Sequence, residues 1–277
     1  MEFKATVLCE NYVINQEGPI AEHGWAVYLE TKEGNYLFDT GQGKAIINNA
    51  LYFHKDLSSI KGIILSHNHY DHSGGLLKIL DLTGTIDVFS HPDLFKHSYD
   101  IKENGTETYN GIPFCREVLE NRGANFIFNR GAVKITPKII LSGEISRKTD
   151  FEKGDENLFI KTKSGIMQDP FLDDQTLFID TKEGLIIILG CAHAGIINII
   201  NYAIEKMGQS HISAIIGGTH LGRADKDTIK KTIQALKNYH IDKIGVSHCT
   251  GLEASLELYQ EFRDHFFFCN VGQIIER

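Results

Sequence analysis

The chain has 277 residues, 42% of them hydrophobic and 23% charged, which is ordinary for one large soluble domain with a sizeable core. Its formal net charge of −8 argues against a nucleic-acid partner, since wrapping a phosphate backbone needs a basic surface. Five scattered cysteines (Cys9, Cys115, Cys191, Cys249 and Cys269) form no CxxC pair, which excludes a disulfide framework and a zinc ribbon. With no signal-peptide core and no apolar stretch of membrane-spanning length, the expected setting is cytoplasmic, with no membrane partner.

Strands are expected over residues 2–11, 25–31 and 35–39, with Gly34 turning the last pair. A helix is expected over 41–53, a strand over 63–66, a helix over 73–82 and a strand over 86–90. From 91 to about 165 the pattern loosens into turn signals, one helix over 113–121 and short strands over 125–128, 132–136 and 138–142. That stretch reads as an inserted layer or lid on a single domain, because no Ser/Pro linker sets it apart. Order returns with a hairpin over 175–180 and 185–189. Helices then follow over 195–207, 227–238 and 252–262, alternating with strands over 213–217, 243–247 and 266–275. The class is α/β.

The chemistry concentrates in SHNHYDHSGG, residues 66–75. His67, His69, Asp71 and His72 place three imidazoles and a carboxylate within six residues, in a chain holding 13 histidines. The apolar run before them and the Gly-Gly after them read as strand, turn and helix start, so these side chains face the crevice at a strand's carboxyl end. Imidazole nitrogen with carboxylate oxygen suits zinc, iron or manganese. The His67-x-His69 alternation puts two imidazoles on one side of an extended segment. Asp71 and His72 follow the turn and can serve a second metal position. His193 and His248 likewise follow apolar strands and precede helices, which makes them the next candidate ligands.

His67-x-His69-x-Asp71-His72 resembles the signature of the metallo-β-lactamase superfamily. Phe38-Asp39-Thr40-Gly41, Gly190–Gly195 (GCAHAG) and Ser247–Gly251 (SHCTG) lie where that superfamily has its Asp-Thr-Gly turn and later ligands. The resemblance implies a four-layer αβ/βα sandwich. It also implies divalent metal, two ions per chain, with zinc foremost and iron, manganese or magnesium as alternatives. Asp39 then has the job of holding the far N–H of a ligating histidine; on spacing alone it is equally a turn-capping Asp.

The bridging position departs from the superfamily's usual pattern, and alternatives stay open. His193 is the third histidine in one reading. In the other, Asp173-Asp174 opens the third-motif region, which makes Cys191, Asp173 or Asp174 candidates near the metals. His220, in GGTHL, is a metal ligand, a proton donor or, preferably, a substrate contact. Asp71 has two jobs, ligand and acceptor of a water proton.

Two cations a few Å apart activate water against an ester or phosphoester of a small anionic substrate, so a metal-dependent hydrolase is the first expectation. GCAHAG, GGTHL, SHCTG and SGEI with Arg147 resemble one branch of the superfamily. It contains metal-dependent hydrolases and archaeal dihydropterin-methyl-ribofuranosylaminobenzene phosphate synthases. That branch implies an alternative: a transferase that joins a dihydropterin-methyl diphosphate to an arylamine with release of pyrophosphate. A non-catalytic metal-binding module ranks third.

Overall fold

The structure, a computed structural model, describes residues 3–14 and 17–277. Its frame is two large sheets. The first runs, edge to edge, Ile274–Glu276, Phe3–Cys9, Ala26–Thr31, Gly34–Phe38, Gly62–Ile64, Ile86–Ser90 and Ala124–Phe128. The second runs Phe266–Phe268, Ile244–Ser247, His211–Gly218, Gly184–Ile188, Leu177–Thr181, Ile139–Leu141 and Val133–Lys134, with His240–Ile241 paired beside His211–Gly218.

Side-chain alternation explains the layering. In the first sheet Phe38 and Ile64 point one way, into a core shared with Ile186, Ile188 and Ile216 of the second sheet. Leu37, Ile63 and Leu65 point the other way, against Ile46, Leu76 and Ile79 of helices Ile46–Tyr52 and Leu76–Thr83. Leu185, Ile187 and Leu189 of the second sheet face helices Ile196–Met207, Lys226–Leu236 and Leu252–Phe262. The layers are helix, sheet, sheet, helix, the expected αβ/βα sandwich.

Within each sheet one block of strands is parallel: Gly34–Phe38, Gly62–Ile64, Ile86–Ser90 and Ala124–Phe128 in the first. In the second the parallel block is Gly184–Ile188, His211–Gly218, Ile244–Ser247 and Phe266–Phe268. Parallel strands end on a common edge. Asp39, the motif at residues 66–75, Cys191 to His193, His220 and His248 all follow such strand ends.

Several elements depart from the sequence reading. Of the expected strand over 2–11, Glu2 lies outside the described residues. The helix expected from Gly41 starts at Ile46. The N–H groups of Gln42, Gly43, Lys44 and Ala45 donate to the buried Glu22 carboxylate at 2.9–3.3 Å, which holds that stretch as an anion-binding turn. The helix expected over 73–82 starts at Leu76, and a separate short helix, Tyr70–Ser73, precedes it. Gly75, between them, lies so close to Thr40 that a Cβ would collide with its carbonyl oxygen.

The single final strand over 266–275 is also corrected. Phe266–Phe268 closes the second sheet, and Ile274–Glu276 pairs antiparallel with Phe3–Cys9 in the first. Gly272, at φ 86°, makes the turn between them.

Residues 91–165 are divided among three sheets. Ala124–Phe128 extends the first sheet, and Val133–Lys134 and Ile139–Leu141 extend the second. His97–Ile101, Glu107–Tyr109 and Leu158–Thr162 join Gly165–Gln168 in a separate four-stranded antiparallel sheet.

Ile188 is fully buried between the two large sheets. Ile188→Ala should therefore destabilise the fold by about 2–5 kcal/mol, read from the midpoint of chemical denaturation; an unchanged midpoint would contradict the two-sheet core.

Candidate metal centre

Asp39 sits at the end of strand Gly34–Phe38 with φ 58° and is fully buried. Its carboxylate accepts from Ser66 N, Ser66 Oγ and His72 Nδ1, each at 2.7 Å. Ser66 Oγ, having given its proton to Asp39, can accept from His67 Nδ1 at 2.9 Å. Asn11 Oδ1 lies 3.0 Å from His248 Nδ1. In each of His67, His72 and His248 the Nδ1 thus has an oxygen partner, which leaves Nε2 as the nitrogen available to a metal.

Those nitrogens face two neighbouring groups of donors. His67, His69 and His193 each bring a ligand atom within 4.8 Å of the others. His67 Nε2 and both ring nitrogens of His193 are buried with no hydrogen-bond partner. Buried orphaned nitrogens of this kind are costly unless something binds them, and a divalent cation fits that donor set. Burial, with the neighbouring imidazoles, holds His67 and His193 far below the usual histidine range and brings His69 to about 3. All three are neutral at pH 7, the form that binds metal. His193 is further fixed by stacking on Phe171 at 3.9 Å and by Arg147, which donates Nε and Nη2 to the His193 carbonyl at 3.2 and 2.9 Å.

The second group centres on Asp71. His248 Nε2 lies 3.2 Å from Asp71 Oδ2 and 3.3 Å from His72 Nε2. Burial works against the Asp71 carboxylate, yet the imidazoles of His23 and His248 hold it well below the usual range. Burial works against a charged His72 too, and Asp39 overrides it and lifts His72 to about 9. Cys191 Sγ stands 3.1 Å from His72 Nε2 and also falls among the donors of His67 and of His193, between the two groups.

Asp173 and Asp174 serve the same region from behind. Asp173 Oδ2 accepts from Asn68 N of the motif at 3.0 Å, and its other oxygen pairs with the Lys96 ammonium. Asp174 accepts from Ala194 N at 3.2 Å and is pushed up to about 7 by burial. His220, at φ 54°, packs its ring 4.2 Å from that of His193, with Asp155 Oδ2 3.3 Å from its Nε2.

The sequence reading did not single out His23, Asn11, Lys96, Asp155 or Phe171. His23 Nε2 lies 3.1 Å from Asp71 Oδ2. Its only local signal was Glu22-His23-Gly24, ahead of the strand from Ala26.

The two groups open onto a cavity of about 670 Å³ lined by His69, Asp71, His193, His220, Lys102 and Arg223. A smaller cavity of about 280 Å³ adjoins it across His193 and His220 and is lined by Phe151, Asp155 and Thr228.

The family model described as the metallo-β-lactamase superfamily matches residues 20–248. The chain belongs to that superfamily. It is 33% identical to the 7,8-dihydropterin-6-methyl-4-(β-D-ribofuranosyl)-aminobenzene-5′-phosphate synthase of Methanocaldococcus jannaschii, over 99% of this chain and 96% of that protein. An uncharacterised protein of the same organism is 30% identical over 92% of this chain and 93% of its own length. Among solved structures, a metal-dependent hydrolase of the β-lactamase superfamily superposes with TM-score 0.85 at 29% identity, over 100% of this chain and 99% of that one. The metallo-β-lactamase fold protein YhfI from Bacillus subtilis shares the fold, with TM-score 0.58 and 13% identity over 100% of both chains.

The neutral buried histidines make the cation-free protein acid-sensitive. His69 titrates at about 3 when folded and at 6.5 when free, so unfolding takes up a proton between those values and stability falls as pH drops from 6.5 toward 3. The thermal midpoint of EDTA-treated protein should fall across that window, and His69→Asn should flatten the fall. A midpoint independent of pH there would refute the neutral assignment.

Proposed function

We propose that the chain is a metal-dependent hydrolase with two metal positions, acting on an ester or phosphoester of a small molecule. The reading is carried by the three-histidine group: buried nitrogens without partners, at the floor of a cavity large enough for a small substrate. His67, His69 and His193 would hold one cation, and Asp71, His72 and His248 the other, with Cys191 beside both. Divalent cations there supply Lewis acidity and an activated water.

The chain's own side chains do the rest. Asp71, ionised and lining the cavity, orients the water and accepts its proton. Lys102 and Arg223, also lining the cavity, attract an anionic substrate. His220 touches the leaving oxygen, with Asp155 fixing its ring.

Metal-reconstituted protein should hydrolyse a generic phosphodiester such as bis(p-nitrophenyl) phosphate. EDTA should abolish the activity and added Zn²⁺ or Mn²⁺ restore it. His69→Ala should bring turnover to background. His220→Ala should lower it by roughly 10²-fold or more with both cations retained, because only a substrate contact is lost. Failure to turn over phosphodiesters, phosphomonoesters and carboxylic esters under full metal loading would sink the hydrolase reading.

A second reading, the transferase, is favoured by the 33% identity to the synthase along nearly the whole chain. The smaller cavity on the far side of His193 and His220 gives room for a second reactant. In that reaction the arylamine nitrogen attacks the pterin methyl carbon, a C–N bond forms, the C–O bond to diphosphate breaks and the amine loses a proton. Pyrophosphate released only when both reactants are present would replace the hydrolase reading with this one.

A further inference from the structure

We propose that His23 is a ligand of the second centre, the fourth after Asp71, His72 and His248. The assignment rests on the two-position reading above and adds a residue from outside the HxHxDH motif and the later strand ends.

The distances carry it. His23 Nε2 stands 3.1 Å from Asp71 Oδ2, that same oxygen stands 3.2 Å from His248 Nε2, and His248 Nε2 stands 3.3 Å from His72 Nε2. Four donors bound to zinc at about 2.0–2.1 Å lie about 3.3 Å apart along the edges of a tetrahedron. The three separations run through all four residues and match such edges. His23, Asp71 and His248 each bring a ligand atom within 4.8 Å of the others. The Nδ1 atoms of His72 and His248 are directed at Asp39 and Asn11, which leaves Nε2 of each on the side of the other donors. In the cation-free protein protons on the imidazoles fill these gaps, and a divalent cation would take their place.

The backbone delivers His23 to this point. Trp25 N donates to the Asp71 carbonyl at 3.2 Å. Gly24 has φ 149° and lies so close to Asp71 that a Cβ there would run into its carbonyl oxygen. Gly24 N donates to Asn11 Oδ1, the same oxygen that faces His248 Nδ1, so one amide registers both histidines. Gln42 Nε2 holds the His23 carbonyl at 2.5 Å.

The consequence is asymmetry. The second centre is filled by four protein donors, while the first has three histidines and an open position toward the cavity. Ligand exchange therefore belongs to the first centre. The side chain of His23 is 54% exposed, against 9% for Asp71 and 1% for His248, so His23 forms the solvent side of the second centre.

Cobalt titration of the cation-free full chain tests this, with affinity by calorimetry and coordination by visible absorption. Wild type should bind two Co²⁺ at separable affinities. His23→Ala and His23→Gln should weaken one site by more than the roughly 10–100-fold that loss of an outer partner costs. They should also shift the d–d bands of that site and leave the other site unchanged. His23→Cys should restore affinity and add a thiolate-to-cobalt charge-transfer band, which a merely structural residue would not produce. His23 also pairs with the buried Asp71 carboxylate, so the cation-free melting temperature of His23→Ala should fall, and the affinities are compared at a temperature where every variant is folded. If His23→Gln keeps both affinities and the spectrum, the assignment is wrong. If wild type binds fewer than two ions, the two-position reading itself fails, and the assignment with it.

Discussion

The hydrogen bonding of the buried Asp39 carboxylate is the interaction on which the candidate metal edge depends. A fully buried anion is tolerable only when its oxygens are hydrogen-bonded and a compensating charge or dipole is near. Ser66 supplies two donors and His72 the third. Because Asp39 ends one parallel strand and Ser66 follows the next, the carboxylate joins two strand ends at the residue where the metal motif begins. Through Ser66 Oγ it also sets which nitrogen of His67 carries the proton. One side chain thereby orients an imidazole in each donor group.

Backbone strain is concentrated around that same edge. Among the described residues seven non-glycines have positive φ, and five of them, Asp39, Phe171, Ala192, His220 and His248, border the site. Each such conformation costs on the order of 1–3 kcal/mol and persists only where surrounding structure enforces it. Here the enforcing structure is two packed sheets with fully buried isoleucines between them. The hydrophobic core supplies the stability, and the strand-end turns use part of it to aim side chains that unstrained turns would point elsewhere.

Much of this architecture was legible in the sequence because its signals are local. A two-residue period marks strands such as Ala26–Thr31, and an apolar run followed by His or Asp marks a strand end facing a crevice. The motif at His67 to His72, and the strand-end positions of His193, His220 and His248, needed nothing more. What was hidden depends on partners distant in the chain. The helix start at Ile46 depends on Glu22 capturing four N–H groups. The small sheet pairs His97–Ile101 with Leu158–Thr162 across a long excursion. The final apolar run divides between two sheets because of Asn270 to Gly272, a turn no stronger in sequence than several others. His23 was invisible for the same reason: its partner Asp71 is distant in sequence, and its loop has no periodicity.

The donors are drawn from both halves of the molecule. His67, His69, Asp71 and His72 follow a strand of the first sheet, whereas His193 and His248 follow strands of the second. A cation bound by both sets is a cross-link between the sheets, comparable to a disulfide in what it joins but reversible with metal concentration. Neither half alone can hold it tightly, so the linkage couples assembly of the two sheets to ion uptake. Loss of such a cation would then loosen the seam between the sheets as well as empty the site.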